Sequence, residues 1–401
     1  MRIMLLNTWY YPNMMGGAEQ SLKLLAEGLA KAGHETAVLS VDGRDDSADI
    51  ATVNGVAVYR MSAGAYKLFE AYKKELSGVA KAANKFRELW NPSIQDAVAW
   101  AMSDFRPDVV HCNCLSGLSL RSLKTIRKND IPTVLTLRNN FMLCPFNSPA
   151  FIDKYVDALP MSIYRAIAKR STKSVRAVTA PSHFTIDRHL EYGFFEDADL
   201  RLCIPNCVEV NLPETKALIE EKRGRTGKGV RFLFAGTLTE GKGVRHLLEA
   251  FTLLDDANST LTLCGDGDLR NLVIRSEAEN ERIFYTGKLD AVQLKREYAR
   301  ADVLVAPSIC EEAFGRTLIE ANACGSVTIC SDRGGMPEVV RTMKSGLIFE
   351  AGNVASLTET MAEFLNRQKI AEHLDGIPEN ITKFSLVRQI ESYVDLYEAI
   401  S

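Results

Sequence analysis

Two glutamates at a fixed spacing, Glu312 and Glu320, are the residues of this chain whose type and position best suit chemistry. They lie eight positions apart, and an apolar run that ends in Pro-Ser precedes them. The pattern predicts a strand over 301–308, an acid- and glycine-rich loop, and a helix over 316–323 that ends before Gly325. Glu320 then lies on this helix and Glu312 in the loop before it.

The start of that helix is a predicted anion site. Its unpaired donors are the backbone N–H groups of Phe314, Gly315 and Arg316, where the positive end of the helix dipole favours negative charge. An anion site suits phosphate, and a carboxylate suits the vicinal hydroxyls of a ribose or a hexose. Together they indicate a sugar nucleotide. The alternative is structural, with Glu312 as a helix cap and Glu320 on a solvated face.

Length and composition indicate the class of protein to which this site belongs. The 401 residues suggest two or three domains, and 46% hydrophobic with 25% charged residues is ordinary for a globular protein. The net charge of −3 argues against general nucleic-acid binding. The nine cysteines include no CxxC pair, which favours a reduced, cytoplasmic compartment. The apolar run at residues 1–7 is too short for a signal peptide or a membrane span, and reads as a buried strand.

The first half alternates predicted strands and helices, beginning with a β-α-β unit that has Gly16-Gly17 at its strand-to-helix turn. Open α/β sheets bind ligands at the carboxyl ends of their strands, so we expect polar residues there to form an acceptor site. The candidates at these ends are His111, Asn113, Arg138 and Asn139. Gly16-Gly17 alone is equally compatible with a simple tight turn.

Two predicted helices, 66–89 and 161–175, have a basic bias. A solvated face is the usual meaning, and a membrane-surface helix is the alternative. The Pro-Asn turn at 205–206 and the charged run 214–228 predict a linker and a domain boundary.

A second β-α series follows this boundary. Gly236 to Gly243 has three glycines and Lys242, and can hold a phosphate through N–H groups and an ammonium. It is not a P-loop, because GxxxxGK[ST] is absent. Gly265-Asp-Gly267 suggests another close backbone approach, and 332–338 is predicted as a loop with further amide donors. A final amphipathic helix is expected over 386–400.

In this order, the motifs resemble the retaining glycosyltransferases of family 4. The Glu312-x7-Glu320 block carries the resemblance, and Gly16-Gly17, 107–111, Lys242-Gly243 and 334–338 accompany it along nearly the whole chain. The resemblance implies an α/β GT-B fold, two Rossmann-like domains facing across a cleft, with the C-terminal helix crossing back to the N-terminal domain. We therefore expect an acceptor domain over 1–208 together with 384–401, and a donor domain over 209–383.

The same resemblance implies a role for each matched residue. Glu320 would hold the donor ribose, Glu312 would contact the transferred sugar, and Lys242 would neutralise the diphosphate. The implied catalytic residues are Glu312, Lys242 and Arg316. The implied donor-binding residues are Gly236, Thr237, Lys242, Gly265, Gly267, Gly287, Lys288, Leu289, Glu312, Phe314, Gly315, Arg316, Thr317 and Glu320. The expected acceptor-binding residues are Gly16, Gly17, His111, Asn113, Arg138 and Asn139.

The expected activity is a cytoplasmic, metal-independent transfer of a hexose from a UDP- or GDP-linked donor to a glycan, with no cofactor. A lipid-linked acceptor and contact with the inner face of a membrane are further expectations. Three departures from the family pattern concern turnover and acceptor type: Thr237 replaces a frequent arginine, Asn139 follows Arg138, and Cys207 ends the Pro-Asn turn. Two alternatives remain. One is a different enzyme on the same fold, a sugar-nucleotide 2-epimerase or phosphorylase; the other, kept open by Thr237 and Asn139, is a non-enzymatic nucleotide-sugar-binding scaffold.

Overall fold

The chain divides into two compact units, Met1–Cys207 with Leu386–Ser401, and Val208–Ser385. A computed structural model describes residues 1–13, 16–43, 49–62, 68, 78–145, 158–227 and 229–401. The boundaries expected at 208 and 384 lie beside these limits.

The first unit contains an eight-stranded sheet in the order β3-β4-β2-β1-β5-β6-β7-β8. All its strand pairs in the described residues are parallel except β3 with β4, which form an antiparallel hairpin. The strands are β1 (Arg2–Asn7), β2 (Glu35–Gly43), β3 (Asp49–Val53), β4 (Val56–Ser62), β5 (Val109–Cys112), β6 (Thr133–Thr136), β7 (Ala177–Ala180) and β8 (Leu200–Cys203).

Helices cover this sheet, and the last one comes from the C-terminal end of the chain. The described helices of the unit are Gly17–Lys31, Gly78–Arg87, Pro92–Phe105, Ser122–Lys128, Leu159–Thr172, His183–Leu190 and Leu386–Ile400. Helix Leu386–Ile400 buries Tyr393, Leu396 and Tyr397 in one cluster with Ile3 and Leu5 of β1. The expected return of the final helix to the first domain is therefore confirmed.

The second unit contains a six-stranded sheet in the order β11-β10-β9-β12-β13-β14 with parallel pairing throughout. Its strands are β9 (Arg231–Ala235), β10 (Thr260–Cys264), β11 (Ile283–Gly287), β12 (Val303–Ala306), β13 (Val327–Ser331) and β14 (Gly346–Phe349). Its α-helices are Leu212–Arg223, Val244–Leu253, Arg270–Glu279, Ala291–Arg300, Arg316–Ala323, Met336–Met343, Val354–Glu363, Arg367–Leu374 and Gly376–Asn380, with 3-10 turns at Glu240–Lys242 and Ile381–Phe384.

The predicted linker over 214–228 is wrong for residues 214–223, which belong to helix Leu212–Arg223. Asn211 caps this helix by accepting from the Glu214 N–H, and Pro213 occupies its first turn. Thr215, Ile219 and Lys222 are buried at helical spacing. Because these three positions hold few apolar side chains, the run reads as a polar connection in sequence.

Two further elements differ from expectation. The expected loop over 332–338 ends in helix Met336–Met343, which begins with proline in its first turn, where the missing N–H has no cost. Strand β8 was not predicted; it lies at the edge of the sheet, and its four residues are half-buried or exposed.

The two basic helices are only partly covered by the structure. Most of 66–77 lies outside the described residues, so the expectation for 66–89 is tested only at helix Gly78–Arg87. In helix Leu159–Thr172 the guanidinium of Arg165 is packed over the Tyr192 ring, 4.7 Å from its centroid, and the residue is buried. None of the helices in the described part of the chain has the length and apolar character that a membrane crossing requires.

Candidate functional site

The central strands of the second sheet locate the candidate donor site. The chain runs from β9 outward to β10 and β11, then returns to place β12 on the other side of β9. The crevice at the carboxyl ends of strands that part in this way is the usual ligand site of an open parallel sheet. Two loops flank it: Gly236–Gly243 after β9 and Pro307–Gly315 after β12.

These two loops bring Lys242 and Glu312 together across 70 positions of sequence. The Lys242 ammonium donates to Glu312 Oε1, the hydroxyl of Ser308 donates to the same oxygen at 3.0 Å, and the Cys310 thiol lies 3.8 Å from it. Among the described residues, every recorded donor to this carboxylate reaches Oε1. Oε2 is therefore the oxygen left for a ligand, and the side chain is 21% exposed.

A loop from the next strand supports the backbone of Glu312. Gly334 has a φ of +70°, and a Cβ there would lie 2.3 Å from the Glu312 carbonyl oxygen. The Gly335 N–H donates to the same carbonyl at 2.7 Å. Only glycine allows both the left-handed conformation and this approach, so Gly334-Gly335 fixes where Glu312 lies.

Glu320 lies on helix Arg316–Ala323, which has the predicted bounds. Its Oε1 accepts from Arg316 Nε at 2.7 Å, and its Oε2 accepts from the Tyr298 hydroxyl at 3.0 Å. The carboxylate is 24% exposed, so it is neither on a fully solvated face nor buried. Tyr298 was not singled out in the sequence, because a tyrosine 22 positions away carries no local sign of this contact.

The start of helix Arg316–Ala323, predicted as an anion site, has a glycine cap without a side-chain cap hydrogen bond. Gly315 is its N-cap residue with a φ of +98°, and the Leu318 N–H is the first to bond back, to the Gly315 carbonyl at 3.0 Å. The earlier N–H groups are those that a helix cannot satisfy internally. The Phe314 side chain is buried against Phe384, with ring centroids 5.9 Å apart. Phe314 can therefore reach a ligand only through its backbone.

The other glycine-rich turns pack against one another on the β9–β11 side. A Cβ on Gly265 would lie 1.8 Å from the Gly236 carbonyl oxygen, so these turns touch backbone to backbone. The Gly265 N–H donates to the Gly287 carbonyl at 2.9 Å. The remaining candidates here are Thr237 and Lys288, which are exposed, Leu289, which is half-buried, and Gly267, whose Cβ would meet Leu238.

In the first unit, Arg138 joins the polar residues at the ends of the central strands. Its Nε donates to Asn113 Oδ1 at 2.9 Å and its Nη1 donates to Asn206 Oδ1. Asn113 in turn donates to Asn7 Oδ1 at 2.9 Å. Asn206 was quoted in the sequence only as part of a turn, since nothing local shows that it meets Arg138.

His111 does not fit the predicted acceptor contact. Its ring is fully buried, with Nδ1 2.7 Å from the Tyr397 hydroxyl and Nε2 2.6 Å from Thr136 Oγ1. Burial, assisted by the Arg138 charge, lowers its pKa to about 3, so the imidazole is neutral. Both ring nitrogens are used within the protein, and His111 is a core residue beneath helix Leu386–Ile400. Asn113 is fully buried as well and acts on Arg138 rather than on a ligand.

The other acceptor candidates remain at the surface. Gly16 and Gly17 are exposed at the start of helix Gly17–Lys31, and Arg138 and Asn139 are half-buried. Asn139 Oδ1 accepts from the Phe141 N–H at 3.1 Å, which makes part of its side chain a turn-forming group.

The chain is similar to known glycosyltransferases. Two family profiles match: "Glycosyltransferase Family 4" over residues 15–212 and "Glycosyl transferases group 1" over residues 215–380. An uncharacterised 42.6 kDa protein in the cps region of Klebsiella pneumoniae is 27% identical over 86% of this chain and 88% of its own. A phosphatidyl-myo-inositol mannosyltransferase of Mycobacterium leprae is 30% identical over 42% of this chain and 45% of its own.

Among solved structures, HepE of Anabaena in complex with UDP and glucose is similar with a TM-score of 0.69. It is 19% identical in sequence, and the similarity covers 99% of both chains. Likeness at this identity concerns the fold, which is that of the GT-B glycosyltransferases.

Proposed function

The chain belongs to the group 1 glycosyltransferases, and on that premise we propose that it transfers a hexose from a UDP- or GDP-linked donor with retention and without a metal ion. The acceptor in this proposal is a glycan or a lipid-linked glycan in the synthesis of a polysaccharide or glycoconjugate. The observation that carries the proposal is the contact between Lys242 and Glu312. It lies beside the start of helix Arg316–Ala323, in the loops that follow the neighbouring strands β9 and β12.

Each group has a part that follows from its charge and position. The helix start and Lys242 receive the diphosphate, since backbone amides and an ammonium stabilise the charge that grows on the leaving group. Glu312 Oε2 accepts hydroxyls of the transferred sugar while Lys242 and Ser308 hold Oε1. Glu320 receives the ribose. The leaving phosphate takes the acceptor proton on the face from which it departs, so the protein contributes positioning and charge.

Positive charge for the diphosphate comes from the protein in this proposal. Lys242 supplies an ammonium and Arg316 a guanidinium in the first turn of the helix, where the dipole adds to them. The exposed Thr237 contributes a hydroxyl at the position where many relatives have an arginine. The UDP in the HepE complex and the cps-region relative support a nucleotide-sugar donor and a polysaccharide context.

A thermal-shift panel of UDP-, GDP- and ADP-sugars tests the donor assignment. One nucleotide at about 100 times its Kd should stabilise the wild type by about 2.7 kcal/mol. Glu320→Ala should lose the shift, and Glu359→Ala, an exposed glutamate on helix Val354–Glu363, should keep it. A wild type that no nucleotide stabilises would contradict the proposal. Product analysis with donor alone separates a transferase from an epimerase, which converts the donor without acceptor.

We also propose that helix Leu159–Thr172 contacts a lipid surface. Leu159, Ile163 and Ile167 are exposed large apolar residues at a spacing of four, which places them in one stripe on the helix. The helix contains no acidic residue, and Arg170 near its end is exposed. This combination is that of an interfacial helix.

Flotation with vesicles that contain anionic lipid tests the contact. Ile163→Asp with Ile167→Asp should abolish co-flotation, because both side chains are exposed and would leave the lipid boundary. Val292→Asp makes the same kind of change at an exposed residue of helix Ala291–Arg300 and should leave flotation intact. A wild type that stays at the bottom of the gradient would exclude the membrane contact.

A further inference from the structure

We propose that Tyr298 is a positioning residue for Glu320, and that this pair sets a preference of the donor site for ribose over 2′-deoxyribose. The inference rests on the proposed function, because it takes Glu320 as the residue that receives the nucleotide ribose. Tyr298 itself touches no substrate in this account; it acts through the carboxylate.

The two oxygens of Glu320 are each held by one donor from a different direction. Arg316 Nε reaches Oε1 at 2.7 Å and the Tyr298 hydroxyl reaches Oε2 at 3.0 Å. An ionised carboxylate offers about four lone-pair positions, so each oxygen keeps capacity for one more donor. A vicinal diol presents two hydroxyl donors, and a carboxylate held at both oxygens can accept one on each. A 2′-deoxyribose presents only one.

Tyr298 is itself held firmly. It is 3% exposed at the end of helix Ala291–Arg300. Its backbone carbonyl accepts from Ser326 Oγ at 2.7 Å and from Lys222 Nζ at 3.3 Å. Lys222 Nζ also donates to the Cys324 carbonyl at 2.9 Å, directly after the helix that carries Glu320. One buried side chain therefore ties both helices together, and the phenol and the carboxylate keep their relative position.

The phenol remains a donor at every working pH. Burial raises the pKa of Tyr298 well above its usual value, and the negative charge of Glu320 raises it further. Its proton therefore stays on the oxygen and points at the carboxylate. Without the Tyr298 hydroxyl, Oε2 of Glu320 loses the donor described above, and the carboxylate can rotate about its Cγ–Cδ bond.

Selectivity follows from this rigidity. A site whose acceptors are fixed for two hydroxyls loses much of its affinity when one hydroxyl is missing. A site whose acceptor can turn toward the remaining hydroxyl loses less affinity. Loosening Glu320 should therefore cost the ribonucleotide more than the deoxyribonucleotide. A merely structural defect would weaken both by the same factor.

The test measures the Kd values of UDP and 2′-deoxy-UDP by titration calorimetry, or of GDP and 2′-deoxy-GDP if the donor panel selects guanosine. The full-length wild type is compared with Tyr298→Phe, which removes one oxygen atom and leaves the ring in place. Tyr59→Phe is the matched control: its hydroxyl also donates to a carboxylate, Asp104 Oδ2 at 2.7 Å, and it is also buried, but it lies in the first unit.

We expect Tyr298→Phe to weaken UDP binding by about tenfold, the size of one hydrogen bond to a charged group, and to weaken 2′-deoxy-UDP less. The ratio of the two Kd values then falls, and Tyr59→Phe leaves it unchanged. Equal weakening of both nucleotides, or a wild type that binds them equally, would overturn the role of Tyr298. A wild type that binds neither would overturn the proposed function itself.

Discussion

Replacing Lys222 by methionine should change how the stability of the protein depends on pH. Lys222 is 3% exposed, and its Nζ donates to the carbonyls of Tyr298 and Cys324 and to Ser326 Oγ. Burial, reinforced by the charge of Arg225, lowers its pKa from the usual 10.5 to about 7. Methionine has a similar length and carries no proton, so the variant removes the titration and the three hydrogen bonds together.

The magnitude follows from the two pKa values. In the unfolded chain the lysine keeps its proton up to about pH 10.5, whereas in the native protein it releases it near pH 7. Between these values the unfolded state binds more protons, so the free energy of unfolding rises with pH by up to about 1.4 kcal/mol per unit. At pH 7 the native lysine is already half deprotonated, so from pH 7 to pH 9 the wild type should gain roughly 2 kcal/mol from this group, and Lys222→Met should gain nothing from it.

Urea unfolding of both proteins at several pH values between 6.5 and 9 measures the effect. All other titrations are shared, so the difference in free energy of unfolding between wild type and Lys222→Met isolates the lysine. This difference should grow with pH. Lys216→Met, at an exposed position of the same helix, controls for loss of a charge and should show no such growth. A difference that stays constant from pH 6.5 to 9 would refute the depressed pKa.

Two further outcomes test the donor site. Gly334→Ala should destabilise the protein by more than the roughly 1–2 kcal/mol of a left-handed residue and weaken nucleotide binding, because its Cβ would meet the backbone of Glu312. Gly33→Ala, also at positive φ but in open space, should show only the backbone cost in thermal unfolding. Equal losses of stability in the two variants would argue against a role of Gly334 in positioning Glu312. Thr237→Arg should tighten nucleotide-sugar binding about threefold at low salt by adding a charge, and calorimetry should find Thr252→Arg, an exposed site on helix Val244–Leu253, without effect.

The predictions that the structure confirmed are mainly those that depend on residues close together in the sequence. The bounds of helix Arg316–Ala323 follow from Gly315, Gly325 and the apolar residues between them, all within one short stretch. The presence of helix Leu386–Ile400 and the alternation of strands and helices follow from periodicity in the same way, whereas the return of that helix to the first domain was implied by the family resemblance. The Glu312–Glu320 spacing is a property of the chain itself, and the fold it implied is the fold observed.

Contacts between distant positions could not be read in this way. His111 stands at a strand end, like a ligand-binding residue, yet helix Leu386–Ile400 covers it with Tyr397 from 286 positions away. The run after residue 212 looks like a linker because its buried positions include a lysine, and only the packing shows that Lys222 meets the ends of two helices.

The candidate site shows the same division. The chain alone determined that two glutamates, a glycine-started helix and a lysine in a glycine-rich loop are present, because residue type and near-neighbour spacing are written in it. Only the tertiary structure decided that Lys242 and Ser308 hold one oxygen of Glu312 and that Tyr298 holds one of Glu320. A hydrogen bond forms only when the distance between donor and acceptor lies within a range a few tenths of an ångström wide. The order of strands in the sheet sets these distances, and the order of residues in the chain does not.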